Sequence, residues 1–515
     1  MSTHNGQATS SARHSTGQTA ATPVRADVFV TIAEASSVIS RTVPAVAFIE
    51  NPPLWGAAGW NNVTTSLASC VGAYKVHLFP FGLLDPWNSN ESGPTEAAPS
   101  LWATDNRLVT ALRKIRECDP TAPIILTLYG ACWWMKGKLH ASNGTTTLMT
   151  SLMTYAERYS AEGRVMINYL DDWLLMVDKA VQLAAAEGCR DFEVWNEAKG
   201  FYSVPSGSGQ TWDARYEAGT ANHADMGYSY FYKATAEQVV VTMTRLGIAR
   251  NQYRIGGPYP VLSTQGGLSA NAIANTHPLY QYGSQWGYSN KAPINFTREF
   301  LGHARKEGFE FDVLTLDLST SLQDGSLQDG SLEDGSYPSS DPFDYTAKFQ
   351  HVTQYWRDVL GEFGFDRDMD LDYGEIYSFP IPGFQAKGNE ILRAALWADC
   401  LKHCVIGRVR YPIMWGAIGT AQGSNSSEGG LVSDPSLGAG YGTLTRTGEI
   451  ARYFKEEFGP GRAIYAVSSS DGRIDGLAST TAALLYNKSG ETLTVSVAGT
   501  RQTFAGYEAK LLKIG

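Results

Sequence analysis

Short apolar runs recur along most of the chain, each followed by a helical or loop segment. They are Ala45–Ile49, Tyr74–Phe79, Pro123–Tyr129, Asp191–Trp195, Tyr253–Gly257, Phe311–Leu318, Asp370–Gly374 and Val409–Trp415. Between them lie helical patterns. Leu170, Leu174, Val177, Val181 and Ala184 repeat at intervals of three and four, which puts them on one face, and Gly188 stands where such a helix would stop. Ile391–Val405 and Thr447–Phe458 are two more helical segments. Apolar strands alternating with helices imply a parallel sheet with helices outside. Eight such units predict an α/β fold, a (β/α)8 TIM barrel with long loops.

The ends of the chain follow other patterns. Residues 461–515 show no helical periodicity. Strand-like runs (AIYAVSSS, TAALLYN, LTVSVAG and AKLLKI) are separated by Asp-Gly and Ser-Gly turns. This predicts an accessory C-terminal β-sandwich. It is short for an independent unit, so residues 24–40 are expected to add strands to it, leaving 41–460 for the barrel. Residues 1–23 are polar and read as a disordered leader without the apolar core of a secretory signal. Ser321–Ser336 is a five-residue repeat, SLQDG, directly after the sixth strand. Its acids Asp324, Asp329 and Asp334 lack the spacing of an EF-hand loop, so it reads as a solvated loop over the barrel mouth.

Composition narrows the function. With 43% apolar and 18% charged residues, the 515-residue chain can bury a large core. A net charge of −10 without a basic block argues against nucleic acid or anionic membrane as a partner. No run of apolar residues is long enough to span a bilayer. The six cysteines (70, 118, 132, 189, 400 and 404) are scattered and read as buried thiols rather than a disulfide framework. Cys400 and Cys404 flank His403 on a helix, but too few further ligands are near for a metal site. Unpaired cysteines and the absence of a signal favour the cytoplasm. The 13 Trp and 26 Tyr suit either a large core or a surface that stacks on sugar rings.

Functional residues of such barrels gather at the C-terminal ends of the strands. The fourth strand runs into Trp195-Asn196-Glu197 and the seventh into Gly374-Glu375-Ile376-Tyr377. Two glutamates on strands three apart can face each other across the barrel mouth, the arrangement that glycoside hydrolysis requires. One carboxylic acid protonates the leaving oxygen, and the other carboxylate attacks or activates water. The pair needs no cofactor and no metal. A barrel salt bridge is the plain alternative for Glu197.

Glu193-Val-Trp-Asn-Glu197 resembles the strand-four signature of retaining barrel glycosidases with catalytic glutamates on strands four and seven, and is most similar to glycoside hydrolase family 39. Tyr74–Asp85 (YKVHLFPFGLLD), Arg254–Pro258 (RIGGP) and Arg410–Trp415 (RYPIMW) resemble that family's second, fifth and eighth strands. The resemblance implies Glu197 as general acid/base, Glu375 as nucleophile, Trp415 as a sugar platform, and a capacity for homo-oligomers. His77, Trp133, Trp134, Asn196, Tyr259 and Tyr377 are the other candidate sugar-binding residues. For His77, Trp133 and Trp134, packing is the competing role.

The chain departs from the family pattern in three places. Ala198-Lys199 follows the acid/base, Ile376-Tyr377 follows the nucleophile, and the sixth strand lacks the His and Tyr expected beside it, with Asp317 or Ser319 in that place. Asp370 and Asp372 alternate on the seventh strand, which argues for a shorter strand. The expected activity is a retaining hydrolase of plant or microbial oligo- or polysaccharides, pentose-containing by first preference, of arabinofuranosidase or xylosidase type. A non-catalytic sugar-binding barrel and a transglycosylase using the same intermediate are the rivals.

Overall fold

A computed structural model of the chain describes residues 28–47, 55–78, 107–129, 131, 133–142, 145–149, 164–165, 169–196, 227–261, 292–317, 343–376, 390–418, 430–497 and 499–514. In chain order the first strands are β1 (Val28–Ile39), β2 (Ala45–Ala47), β3 (Ala73–His77), β4 (Ile124–Leu128), β5 (Lys136–Ser142), β6 (Thr145–Met149) and β7 (Arg164–Val165). Next are β8 (Asp191–Val194), β9 (Arg254–Val261), β10 (Val313–Asp317), β11 (Asp370–Ile376) and β12 (Pro412–Trp415). The last six are β13 (Ala463–Ser469), β14 (Ile474–Ala478), β15 (Ala482–Asn487), β16 (Leu493–Val497), β17 (Thr500–Phe504) and β18 (Ala509–Lys513). The helices are α1 (Trp60–Cys70), α2 (Arg107–Cys118), α3 (Leu170–Ala186), α4 (Tyr228–Arg245), α5 (Ala292–Glu307), α6 (Phe343–Glu362), α7 (Glu390–Gly407) and α8 (Arg446–Glu457).

Eight parallel strands, β2-β3-β4-β8-β9-β10-β11-β12, close into a barrel, and β12 pairs with β2 to complete the circle. This is a (β/α)8 TIM barrel, and each of its strands overlaps one of the eight apolar runs of the sequence, with β9 and β11 extending beyond theirs. The strands are buried on both faces because helices cover the outside. Helix α3 shows how the sequence stops such a helix. Gly188 takes a left-handed conformation (φ +80°), and the amides of Gly188 and Cys189 bond the carbonyls of Ala185 and Ala184 at 3.1 and 2.9 Å. The short antiparallel sheet β6-β5-β7 is an excursion after β4.

Alternation along each strand sorts side chains between the two faces. Leu314 and Leu316 of β10 and Leu371, Tyr373 and Ile376 of β11 belong to the main core with the helices. The Tyr373 hydroxyl donates to the carbonyl of Phe349 on α6 (3.0 Å). A separate small apolar cluster of Ala45, Ala47, Ala73, Ile125, Tyr411 and Ile413, against which Trp415 packs, lies inside the barrel.

The acids on β11 do not shorten that strand, which extends to Ile376. Arg410 accounts for them. Its guanidinium is bidentate on Asp372 (3.0 and 2.6 Å), bonds Asp191 at 2.9 Å and lies 3.6 Å from Asp370, while Arg254 bonds Asp370 at 3.0 Å. Burial pushes the Asp372 carboxyl up to about 6 against the pull of Arg410. The strands begin at this end, so the cluster is a polar plug in the barrel floor.

β1 and β13–β18 form a seven-stranded sheet in the order β17-β16-β1-β13-β14-β15-β18. It is a β-sandwich around Val28, Val30, Leu485, Leu493, Val495 and Phe504. Asp399 on α7 fastens it to the barrel. That carboxylate accepts from the hydroxyls of Tyr486 on β15 and Thr346 on α6, and faces Lys402 (3.2 Å) and His403 (3.5 Å). Lys402 also bonds Asp475 on β14 at 2.6 Å. Cys70, Cys118, Cys189, Cys400 and Cys404 are buried free thiols. Among the described residues no helix is long and apolar enough to cross a membrane, and no group of His, Cys, Asp and Glu is arranged to hold a metal ion. Residues 1–23 and the Ser321–Ser336 repeat lie outside the described residues.

Candidate active site

Above the charged floor, the inner face of the barrel carries further buried polar side chains toward the C-terminal ends of its strands. The middle layer is built around Lys75 on β3, which is fully buried. Its ammonium bonds Glu193 on β8 at 2.8 Å and donates to the carbonyl of Gly374 on β11 at 3.2 Å. It also stands 4.1 Å from the centre of the Tyr259 ring. Thr127 on β4 donates to the same Glu193 oxygen (2.9 Å). One buried cation thus links three strands. A lysine in so apolar a strand, two residues before His77 and on the same face, was the signal for it in the sequence.

The layer above contains His77, Tyr129, Asn196, Tyr259, Asp317, Glu375 and Trp415. His77 packs edge-on to Tyr129 (6.0 Å between ring centres) and tilted against Trp415 (5.6 Å). Burial, followed by the charge of Lys75, holds the His77 imidazole well below its usual range, so it is neutral at pH 7. Its Nε2, like Oδ1 of the buried Asn196, has no hydrogen-bond partner among the described residues. A neutral imidazole and a carboxamide oxygen suit the hydroxyls of a polar neutral ligand. Tyr129 completes the ring and was not singled out in the sequence.

Local backbone irregularities aim these groups. Trp195 has φ +69°, uncommon for a residue with a side chain, and turns the chain at the end of β8 just before Asn196. Its indole is fully buried, in contact with Trp173, Phe231 and Tyr129 at 5.3–5.7 Å between ring centres, which holds that conformation. On β11 the pairing with β10 slips by one residue at Gly374. Leu316 pairs with Tyr373, and Asp317 pairs with Glu375. Without the slip Glu375 would share the helix-facing side with Tyr373. With it, Glu375 comes to the barrel interior beside Asp317. Glu375 is 1% exposed and Asp317 2%. β9 slips at the same level, around Tyr259, whose φ is +57°.

Of the other sequence candidates, Trp134 is buried, edge-on to Tyr169 (5.3 Å) and part of the main core. Tyr259 is fully buried beneath the mouth. Trp133 lies on a short 3-10 turn, and its side chain is outside the described residues. Glu197, three residues beyond the end of β8, and Tyr377, one residue beyond the end of β11, also lie outside them. Asp317 occupies the strand-six place beside Glu375, and Ser319 lies outside the described residues.

No family model and no curated protein matches the chain. Its fold does match solved structures along nearly its whole length. An endo-β1,6-glucanase has a TM-score of 0.51 at 12% identity, covering 93% of each chain. SrfJ from Salmonella typhimurium has 0.50 at 10% identity, covering 94% of each. A conserved exported protein from Bacteroides fragilis has 0.52 at 10% identity, covering 95% of this chain and all of that one. At such identities the likeness is one of fold, and it spans the barrel together with the β-sandwich.

Proposed function

We propose that the protein is a retaining glycoside hydrolase with Glu375 as nucleophile and Glu197 as general acid/base. The observation that carries this reading is the placement of Glu375. A register slip turns a buried carboxyl to the inner face of a barrel at its C-terminal end, within a layer that also holds a neutral His77, Trp415 and Asn196, the residue before Glu197.

Ionised Glu375 attacks the anomeric carbon while the Glu197 carboxylic acid protonates the departing oxygen. Water, activated by Glu197, then releases the sugar from the glycosyl-enzyme. Retention requires the two carboxyl groups to stand about 5–5.5 Å apart. His77, Asn196 and Tyr377 hold sugar hydroxyls, Trp133 and Trp415 supply stacking faces, and Trp134 and Tyr259 support the site from below. Similarity to family 39 rests on the sequence motifs alone. It makes pentosides the first substrates to try, and the fold shared with an endo-β1,6-glucanase adds β-glucans.

The test is a panel of aryl pentosides and hexosides beside plant and bacterial glycans, with the first product followed by NMR. Retained configuration and labelling of the Glu375 peptide by a 2-fluoro glycoside are expected. Binding of oligosaccharides without turnover of any glycoside would make the barrel a sugar-binding protein instead.

A further inference from the structure

We propose that a groove outside the barrel, where α7 and α8 meet β17 and β18, is an accessory binding site for a neutral glycan chain. Its volume is about 420 Å³, within the range of about 300–1,000 Å³ that holds small-molecule ligands. Arg446, Glu449, Ile450 and Tyr453 recur at intervals of three and four, so one face of α8 forms a wall. The β-sandwich forms the opposite wall. β17 and β18 follow each other in the chain but stand at opposite ends of the strand order, as the two edges of the sheet. Lys510 ties these edges together. Its ammonium bonds the carbonyl of Thr503 at 2.6 Å and the carboxylate of Glu508 at 3.0 Å, and Glu508 accepts from the Ala505 amide at 2.8 Å. The groove is therefore formed before any ligand arrives.

The chemistry of the walls selects the ligand. Arg446 and Glu449 on α8 and Gln502 on β17 line the groove and make no side-chain hydrogen bond among the described residues, so their donors and acceptors are open to a ligand. The charges balance: Arg446 stands one helical turn from Glu449, and Lys510 is paired with Glu508. An anion would meet Glu449 and a cation would meet Arg446. A neutral polyol suits both, because its hydroxyls accept from the guanidinium and the carboxamide N–H groups and donate to the carboxylate and carboxamide oxygens. Ile391, Tyr453 and Leu511 are half-buried in the same lining and offer apolar surface to the C–H face of a sugar ring. The Arg452 guanidinium stands 4.8 Å from the centre of the Tyr453 ring, which steadies it. The groove shares no residue with the barrel interior, so the proposal does not rest on the roles of Glu375 and Glu197.

Affinity electrophoresis of the full chain tests this, in gels containing xylan, arabinan, β1,3-glucan, β1,6-glucan or hydroxyethyl cellulose, with dextran sulfate as the anionic control. The gels are run in the cold so that no polymer is consumed. Wild type should be retarded by at least one neutral polymer, and the dependence on polymer concentration gives the affinity. Arg446→Ala/Gln502→Ala should bind that polymer about tenfold or more weakly, while melting as wild type does. Glu449→Ala, at an exposed position, should weaken binding in the same direction and decides the matter should the double variant not fold. No retardation of wild type by any neutral polymer would overturn the proposal. Retardation by dextran sulfate alone would overturn it too, because the groove would then be an anion site. Equal retardation of wild type and both variants rejects it as well, and loss of that retardation in Trp415→Ala would place glycan binding in the barrel instead. If wild type turns over no glycoside, the hydrolase reading fails while retardation still decides the groove.

Discussion

The ring of Tyr259 occupies the space where a side chain on residue 374 would stand. A Cβ added to Gly374 would overlap Cε2 of Tyr259 and lie 2.7 Å from its Cζ. The Lys75 ammonium stands 4.1 Å from the centre of that ring, which limits its room to retreat. Gly374→Ala should therefore cost about 1–3 kcal/mol of stability through overpacking. Because it sits at the slip that aims Glu375, it should also lower turnover by about a hundredfold or more. Urea unfolding and kcat of the same preparation check both; full activity in the variant would show that Glu375 does not depend on the slip.

Lys75 is the only partner cation of Glu193 among the described residues. Lys75→Met leaves a buried carboxylate with Thr127 alone, and a loss of about 3–5 kcal/mol is expected. The double variant Lys75→Met/Glu193→Leu removes both charges and should recover much of that loss. A double-mutant cycle by urea denaturation measures the coupling, and strictly additive losses would mean that the pair contributes nothing as a pair.

Glu197→Ala should impair substrates with poor leaving groups far more than activated aryl glycosides, because only the former need a proton donor. Azide should restore part of the turnover on activated substrates by replacing the missing base with a small anion. Equal losses on both, without rescue, would assign the proton transfer to another residue.

Asp399 predicts an acid-sensitive contact between barrel and β-sandwich. Burial alone would raise its pKa, but Lys402 and His403 overcome this and hold the carboxylate well below the usual range. The sign follows from linkage: its stability is present above the unfolded value of about 3.9 and is lost as pH falls through the folded value. Asp399→Asn should lower stability by about 3–5 kcal/mol at neutral pH, and the gap from wild type should narrow below about pH 4. Melting curves across that range check it; a gap that stays constant would show that the charge is not what matters.

The barrel was legible because apolar runs and helical periodicity are local signals, and a strand covered by helices must be apolar on its outer face wherever it runs. The site was legible only where a motif carried it. Asn196 and Glu375 stand out beside strand ends, whereas Tyr129 looks like part of an ordinary apolar strand, and nothing near Lys75 in the sequence shows that Glu193 is its partner until the barrel closes around them. Asp370 and Asp372 misled in the opposite direction. Their countercharge, Arg410, is 38 residues beyond Asp372, and no periodicity shows that it completes a plug. Nor could alternation place Glu375, because a one-residue slip at Gly374 reverses the face of all that follows on that strand.

The barrel closes where β12 meets β2, a joint of only three paired residues. The chain does not leave that joint unguarded. Just outside it, the Thr42 hydroxyl bonds the carbonyl of Val409 (2.7 Å), the Ser40 amide bonds the carbonyl of Arg462 (2.9 Å), and the Gly461 amide returns to Ser40 (2.9 Å). From there β1 and β13 run antiparallel from Ile39–Ala463 to Val30–Ser469. The seam of the barrel is in effect the closed end of a zip whose teeth continue into the β-sandwich. Fraying β2 away from β12 therefore means parting β1 from β13 as well, so the two units share one opening event, and the segment at 28–39 acts as a clasp on a barrel to which it contributes no strand.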